Sequence, residues 1–158
     1  MEELKKRARS VPKGNRYEDF DLGRSFEHHW GRTLNEGDNS LFTTLTLHYN
    51  PLYFNKEYAS ELGHEQVVVN PLLVFNTVFG LTVEDLSEGG GPFLGVNELS
   101  YHTPVYVGDT LTARSEVVDR RESKSNPKMG IVTWHTRGFR GDQKVIEFKR
   151  TNLVRKRA

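Results

Sequence analysis

The stretch from Asn70 to Leu86, NPLLVFNTVFGLTVEDL, constrains the fold more than any other part of this chain. Asparagine is a good N-cap. Proline at the first helical position already has the required φ and lacks an N–H that would otherwise go unpaired. Leu72, Leu73, Val74, Phe75, Val78, Phe79, Leu81 and Val83 then cover most of the helix circumference. A helix apolar nearly all round is buried on nearly all sides. In a chain of 158 residues, about one domain's length, it should run through the middle and be wrapped by something else.

The second half supplies the wrapping. Residues 94–101, 109–120, 130–140 and 144–154 are rich in Val, Thr, Phe and Tyr. Leu111, Ala113, Ser115 and Val117 alternate with polar residues, the period of a half-buried strand. Gly108-Asp109, Asn126-Pro127 and Gly141-Asp142 mark turns, and the run Ser87 to Pro92, SEGGGP, ends the central helix. Upstream, Thr33 and Glu36 fit a capping box that opens a helix, with Leu34, Asp38, Leu41, Phe42 and Leu45 near one face. Asn55 to Gly63 reads as a short helix capped at both ends. The expected class is α+β, with an antiparallel sheet curled round one helix.

Composition narrows the function. The absence of cysteine excludes disulfides, cysteine nucleophiles and thiolate metal sites. A net charge of +1, from 22 Lys+Arg against 21 Asp+Glu, is too balanced for a dedicated nucleic-acid binder. No apolar run approaches the ~20 residues that span a bilayer. The charged start MEELKKRARS has no secretory pattern, so a cytoplasmic protein is expected. A basic extension, residues 1–15, precedes one domain, residues 16–158. The first 16 residues hold six Lys/Arg, and Lys149, Arg150, Arg155, Lys156 and Arg157 crowd the other end. These are either solvated ends or cations for a phosphorylated ligand. His28 and His29 are adjacent on an expected strand and point to opposite faces, which is poor geometry for one metal. No HExxH and no phosphate-binding glycine loop is present, and neither metal nor separate cofactor is expected.

Several segments carry a resemblance. They are Gly31-Arg32-Thr33, DNSLFTTLTL from Asp38 to Leu47, His48-Tyr49-Asn50-Pro51-Leu52-Tyr53, Pro104 to Leu111, and Arg121-Glu122-Ser123-Lys124-Ser125. In this order they resemble the MaoC-like hydratases, in the branch containing itaconyl-CoA and mesaconyl-CoA hydratases. The resemblance implies a single hot-dog fold, a curved antiparallel sheet wrapped around a long central helix. It implies reversible addition of water to a 2-enoyl-CoA thioester, here a short branched or dicarboxylic one. Coenzyme A would be part of the substrate. It also implies a homodimer or higher oligomer whose interface helps form each site.

The family motif is Asp-x-Asn-Pro-x-His. Asn50 and Pro51 match it, but His48 stands at the Asp position and Tyr53 at the His position. Hydration needs a base for water, an acid for the α-carbon and a donor for the thioester oxygen. His48 can serve as the base, since an unperturbed imidazole titrates near ~6.5, and Tyr53 can orient water or donate a proton. The alternative is that both merely close a pocket whose chemistry has gone. Asp38 could orient His48 or simply favour the helix dipole, and Asn50 reads as a turn former or a pocket residue. The family's amide donor at the start of the central helix falls on Pro71, which has no N–H. The Leu72 amide is then the expected donor unless Asn70 caps it. Two other functions stay open: a CoA-thioester-binding or regulatory module, and a thioesterase.

Overall fold

The computed structural model describes residues 13–157. Six strands form one antiparallel sheet: β1 (Ser25–Glu27), β2 (Arg32–Thr33), β3 (Phe93–Tyr101), β4 (Thr110–Glu122), β5 (Met129–Arg140) and β6 (Gln143–Arg155). Their order is β1-β4-β5-β6-β3, with β2 also pairing with β4. The four long strands fall within a few residues of the expected ranges, because alternation and turn chemistry agree there. Among the described residues four α-helices accompany them: α1 (Glu36–Leu45), α2 (Lys56–Glu61), α3 (Pro71–Leu81) and α4 (Val83–Leu86).

Asn70 caps α3 as expected, its side chain accepting from the Leu72 amide. Val74 and Val78 are buried against Leu111, Ala113, Val145, Ile146 and Phe148 of the sheet. Gly138 on β5 permits this approach, since a Cβ there would lie 2.7 Å from a Val78 methyl. Two expectations for this helix are corrected. It is not continuous to Leu86. It breaks at the buried Thr82, whose hydroxyl donates to the Phe79 carbonyl and accepts from Arg150 of β6. A hydroxyl bonded back to the preceding turn competes with the helical ladder. Nor is the helix covered on all sides. The sheet takes one face, while Leu72 and Val83 stay exposed.

The capping box of α1 is also shifted. Thr33 is held extended in β2, where its hydroxyl meets that of Thr110 at 2.7 Å. The helix therefore starts later, with Asn35 as N-cap and Asp38 reciprocating. Its face is inverted. Asn39 and Thr43 point inward, and Leu41 and Leu45 are 61% and 72% exposed.

A second core cluster (Phe20, Leu86, Val117, Val132, Trp134 and Val154 among its members) fills the other end of the sheet. Beside it His28 is buried, with Nδ1 2.6 Å from Asp85 and Nε2 2.9 Å from the Ser115 hydroxyl. Burial lowers its pKa, opposed by Asp85. Above the unfolded value near ~6.5 the ring is neutral in both states. Below it the unfolded chain takes up a proton that the folded chain resists, so stability declines as pH falls. The urea midpoint should drop between pH 7.5 and 5.5, and His28→Gln should flatten that dependence. An equal drop in the variant would locate the titration elsewhere. Glu147, held at about 2 by Lys144 and His135 against the cost of burial, gives way only at lower pH.

The basic stretch at residues 1–12 lies outside the described residues. Asn15 and Arg16 are tied to the Asp85 and Gly89 carbonyls. At the other end Lys149 pairs with Glu98, Lys156 with Glu122 and Arg157 with Asp19. Arg150 is buried. Lys149, Arg150, Lys156 and Arg157 are therefore engaged within the chain. No helix among the described residues is long and apolar enough to cross a membrane.

Candidate active site

The site forms where α1, the Asn50-Pro51 turn and the start of α3 meet. Two buried amides frame it. Asn39 accepts from the Asn70 backbone N–H at 2.8 Å and donates to the carbonyls of Tyr53 and Val68. This explains the inverted face of α1: its inward positions hold three chain segments together, which an apolar side chain cannot do. Asn70 donates to the Thr43 hydroxyl at 3.3 Å and to His48 Nδ1 at 3.2 Å.

His48 is delivered by the end of α1. Its amide bonds to the Thr43 carbonyl and that of Leu47 to the Thr44 carbonyl, with Leu47 at φ 56°. This is the Schellman arrangement, in which glycine is usual because a side chain strains the left-handed conformation. The helix therefore does not carry on to His48; the turn redirects it. The His48 ring lies edge-on to Tyr53, centroids 5.2 Å apart.

The hydrogen bonds determine what His48 offers. The Asn70 Oδ1 accepts from the Leu72 amide at 3.0 Å. Flipping that side-chain amide would set two donors face to face, so Nδ2 must point at His48. An amide nitrogen only donates. His48 Nδ1 is therefore the acceptor, and the neutral ring carries its proton on Nε2. In this state His48 presents an N–H rather than a free lone pair. Burial raises the pKa of Tyr53, and burial together with nearby Tyr53 raises that of Tyr101. Both phenols stay protonated. Tyr101, not singled out in the sequence, donates to the Pro71 carbonyl at 2.8 Å.

Other expected residues take structural places. Asp38 bonds the Asn35 amide and pairs with Arg32 at 2.9 Å, at the far end of α1, so it does not orient His48. The Leu72 amide is capped by Asn70, and the Leu73 and Val74 amides bond the Asn70 carbonyl. The helix start thus leaves none of these three free for a thioester oxygen. Asn50 accepts from the Leu52 amide and caps the turn Pro51–Tyr53. Beside Tyr53, Pro71 and Tyr101 opens a cavity of about 330 Å³ with valine walls and with His64 and His102 in its lining.

The long helix under a curved antiparallel sheet, with an Asn-Pro turn at the helix start, defines a hot-dog protein of the MaoC-like hydratase and dehydratase class. The chain belongs to the mesaconyl-CoA hydratase family, whose model matches residues 1–158. It is 37% identical over 159 residues to the mesaconyl-CoA hydratase of Haloarcula hispanica, covering 99% of this chain and 44% of that protein. A MaoC domain dehydratase from Chloroflexus aurantiacus superposes with a TM-score of 0.88 at 38% identity, over 96% of this chain and 43% of the other. A Mycobacterium tuberculosis protein described as having a double hot-dog fold gives 0.80 at 23% identity, over 91% and 45%. The chain thus spans a little under half the length of these proteins.

Proposed function

We propose that this chain is a hot-dog unit of an enoyl-CoA hydratase or dehydratase acting on a short branched or dicarboxylic acyl thioester. The observation that carries the reading is the Asn70–His48 pairing at the start of α3 beside Tyr53, the one of the three that lines an acyl-sized cavity. In the reaction, a base takes a proton from water while oxygen adds to the β-carbon. The electron pair moves onto the thioester oxygen, and the α-carbon is then protonated. Donors held in place before the reaction stabilise that oxygen. The His48 Nε2–H and Tyr53 hydroxyl are suited to this role, and Tyr101 positions the Pro71 end of α3.

A base is what these residues do not offer. A second hot-dog unit paired with this one would bring further side chains to the site, and another copy of this chain is the partner we propose. Two features support pairing. Strand β3 is an edge strand exposing Phe93, Leu94 and Leu99, and Leu41, Leu45, strained Leu47 and Tyr49 form an apolar surface around His48. A cytoplasmic place fits such a substrate.

A second reading, a CoA-thioester-binding module, draws on the occupied His48 Nδ1 and the raised Tyr53. One experiment separates them: following enoyl-thioester absorbance with crotonyl-, mesaconyl- and itaconyl-CoA, for the wild type and His48→Ala. Wild-type turnover that falls 100-fold or more in the variant is expected, the size of losing one such donor. Tight binding without turnover would favour the module. Neither turnover nor binding would remove the thioester reading, and a single-chain species by sedimentation at micromolar concentration would remove the pairing.

A further inference from the structure

Resting on the hydratase reading, we infer that His102 is the general base that takes the proton from water, with Glu147 as the residue that positions it. His102 directly follows β3, and its backbone N–H donates to the Val145 carbonyl of β6 at 2.9 Å. Its side chain lines the same cavity as Tyr53 and Tyr101. That side chain is 33% exposed, so water reaches the ring. His102 Nε2 lies 2.8 Å from Glu147. Lys144 first, and then His135, keep this carboxylate ionised, and an ionised carboxylate only accepts. Nε2 must therefore carry the His102 proton, and in the neutral ring Nδ1 keeps its lone pair.

His135 makes the contrast clear. Its Nε2 also donates to Glu147, at 2.9 Å, but its Nδ1 accepts from Arg137 at 3.0 Å, so both nitrogens are used. Among the described residues nothing bonds His102 Nδ1. A carboxylate behind an imidazole fixes its tautomer and stabilises the imidazolium formed when the other nitrogen takes a proton. The charged and titratable groups around the ring are Glu147 and Lys144 of β6, His135 of β5, and Tyr53, Tyr101 and His64 in the cavity lining. His64 meets the Tyr106 hydroxyl instead of a carboxylate. In the reaction, one O–H bond of water breaks and its proton goes to His102 Nδ1. The oxygen bonds the β-carbon, and the C=C pair moves onto the thioester oxygen, where the Tyr53 hydroxyl donates. When that pair returns, the α-carbon takes the proton from the imidazolium, and Nδ1 is free again. One cavity thus lines up a phenolic donor with an imidazole acceptor, the function that His48 and Tyr53 leave unfilled.

The test follows hydration of crotonyl-, mesaconyl- and itaconyl-CoA across pH by the full chain, as wild type, His102→Ala and Glu147→Gln. Wild-type kcat is expected to fall at low pH, where Nδ1 is protonated and can no longer accept. His102→Ala should lose about 100-fold or more in kcat, the low end of general-base catalysis, with KM little changed. It should also lose the acid limb, and added imidazole should restore part of the rate. Glu147→Gln removes the charge that favours the imidazolium, so it should lower kcat less and move the acid limb to lower pH. Turnover by His102→Ala within about tenfold of the wild type would overturn the base alone. So would a loss that is carried by KM, leaves the acid limb in place and is not restored by imidazole. No wild-type turnover of any of the three thioesters would overturn the hydratase reading and the base with it. Imidazole nitrogen shifts in NMR answer without substrate: a neutral His102 ring protonated on Nδ1 would overturn the assignment, and one protonated on Nε2 is expected. Circular dichroism of each variant guards against loss of fold, and His102→Gln repeats the comparison if the alanine variant unfolds.

Discussion

Replacing Asn70 with aspartate will reverse the polarity of His48. In the wild type the Asn70 amide nitrogen donates to His48 Nδ1 and the amide oxygen caps Leu72. A carboxylate keeps the cap, because its oxygen still accepts from Leu72 and an anion is favoured at a helix N-terminus. Its other oxygen, however, can only accept. His48 must then carry a proton on Nδ1, either as the other tautomer or as the imidazolium. Thr43 can adjust by donating instead of accepting, so the fold should persist. Imidazole nitrogen shifts in NMR will report Nε2 protonation in the wild type and Nδ1 protonation in Asn70→Asp. Enoyl-thioester turnover should fall by about 100-fold if Nε2–H is the donor that matters. A wild-type ring already protonated on Nδ1 would defeat this account of the site.

Truncating Trp134 will cause a large loss of stability. Trp134 is fully buried, and its ring lies edge-on to Phe20 at 4.9 Å. Trp134→Ala should cost about 3–5 kcal/mol, the range for aromatic truncation in a core. For a domain of this size that corresponds to a fall in Tm of about 6–20 °C. Trp134→Phe is the informative companion. The indole N–H has no partner among the described residues, so it is desolvated without return. Phenylalanine discards that group and retains most of the ring, and its cost should stay below about 1.5 kcal/mol. A phenylalanine variant as damaged as the alanine one would mean that the N–H is bonded after all.

Strand ranges and the start of α3 were legible in the sequence because each rests on local rules that agree. Alternation placed Leu111, Ala113, Ser115 and Val117 on one face, and all four are buried. Asn70-Pro71 opened a helix where expected. The start and face of α1 were not legible. Leucine spacing pointed Leu41 and Leu45 inward, but the inward positions are decided by which residues can bond the carbonyls of Tyr53 and Val68. That demand comes from segments 14 and 29 residues away from Asn39. His48 and Tyr53 were singled out because they sit at motif positions, and Asn70 because Asn-Pro opens a helix; the structure brings the three side by side. Tyr101 was missed because its partner Pro71 lies 30 residues upstream, and nothing local marks that contact. Thr82 looked like a helix residue because Arg150, which helps to break the helix there, approaches from a strand 68 residues on.

The polar inward face of α1 has a dynamic consequence. The helix is fastened to the body through Asn39 and Thr43, and its exposed leucines add little within one chain. Net hydrogen bonds contribute about 1 kcal/mol each, far less than the apolar burial that holds the sheet. The segment from α1 to His48 is then a unit of low local stability, able to open while β4, β5 and β6 stay intact. A ligand reaching from His48 into the cavity would tie that unit down. Substrate binding and completion of the fold at the site would become a single event.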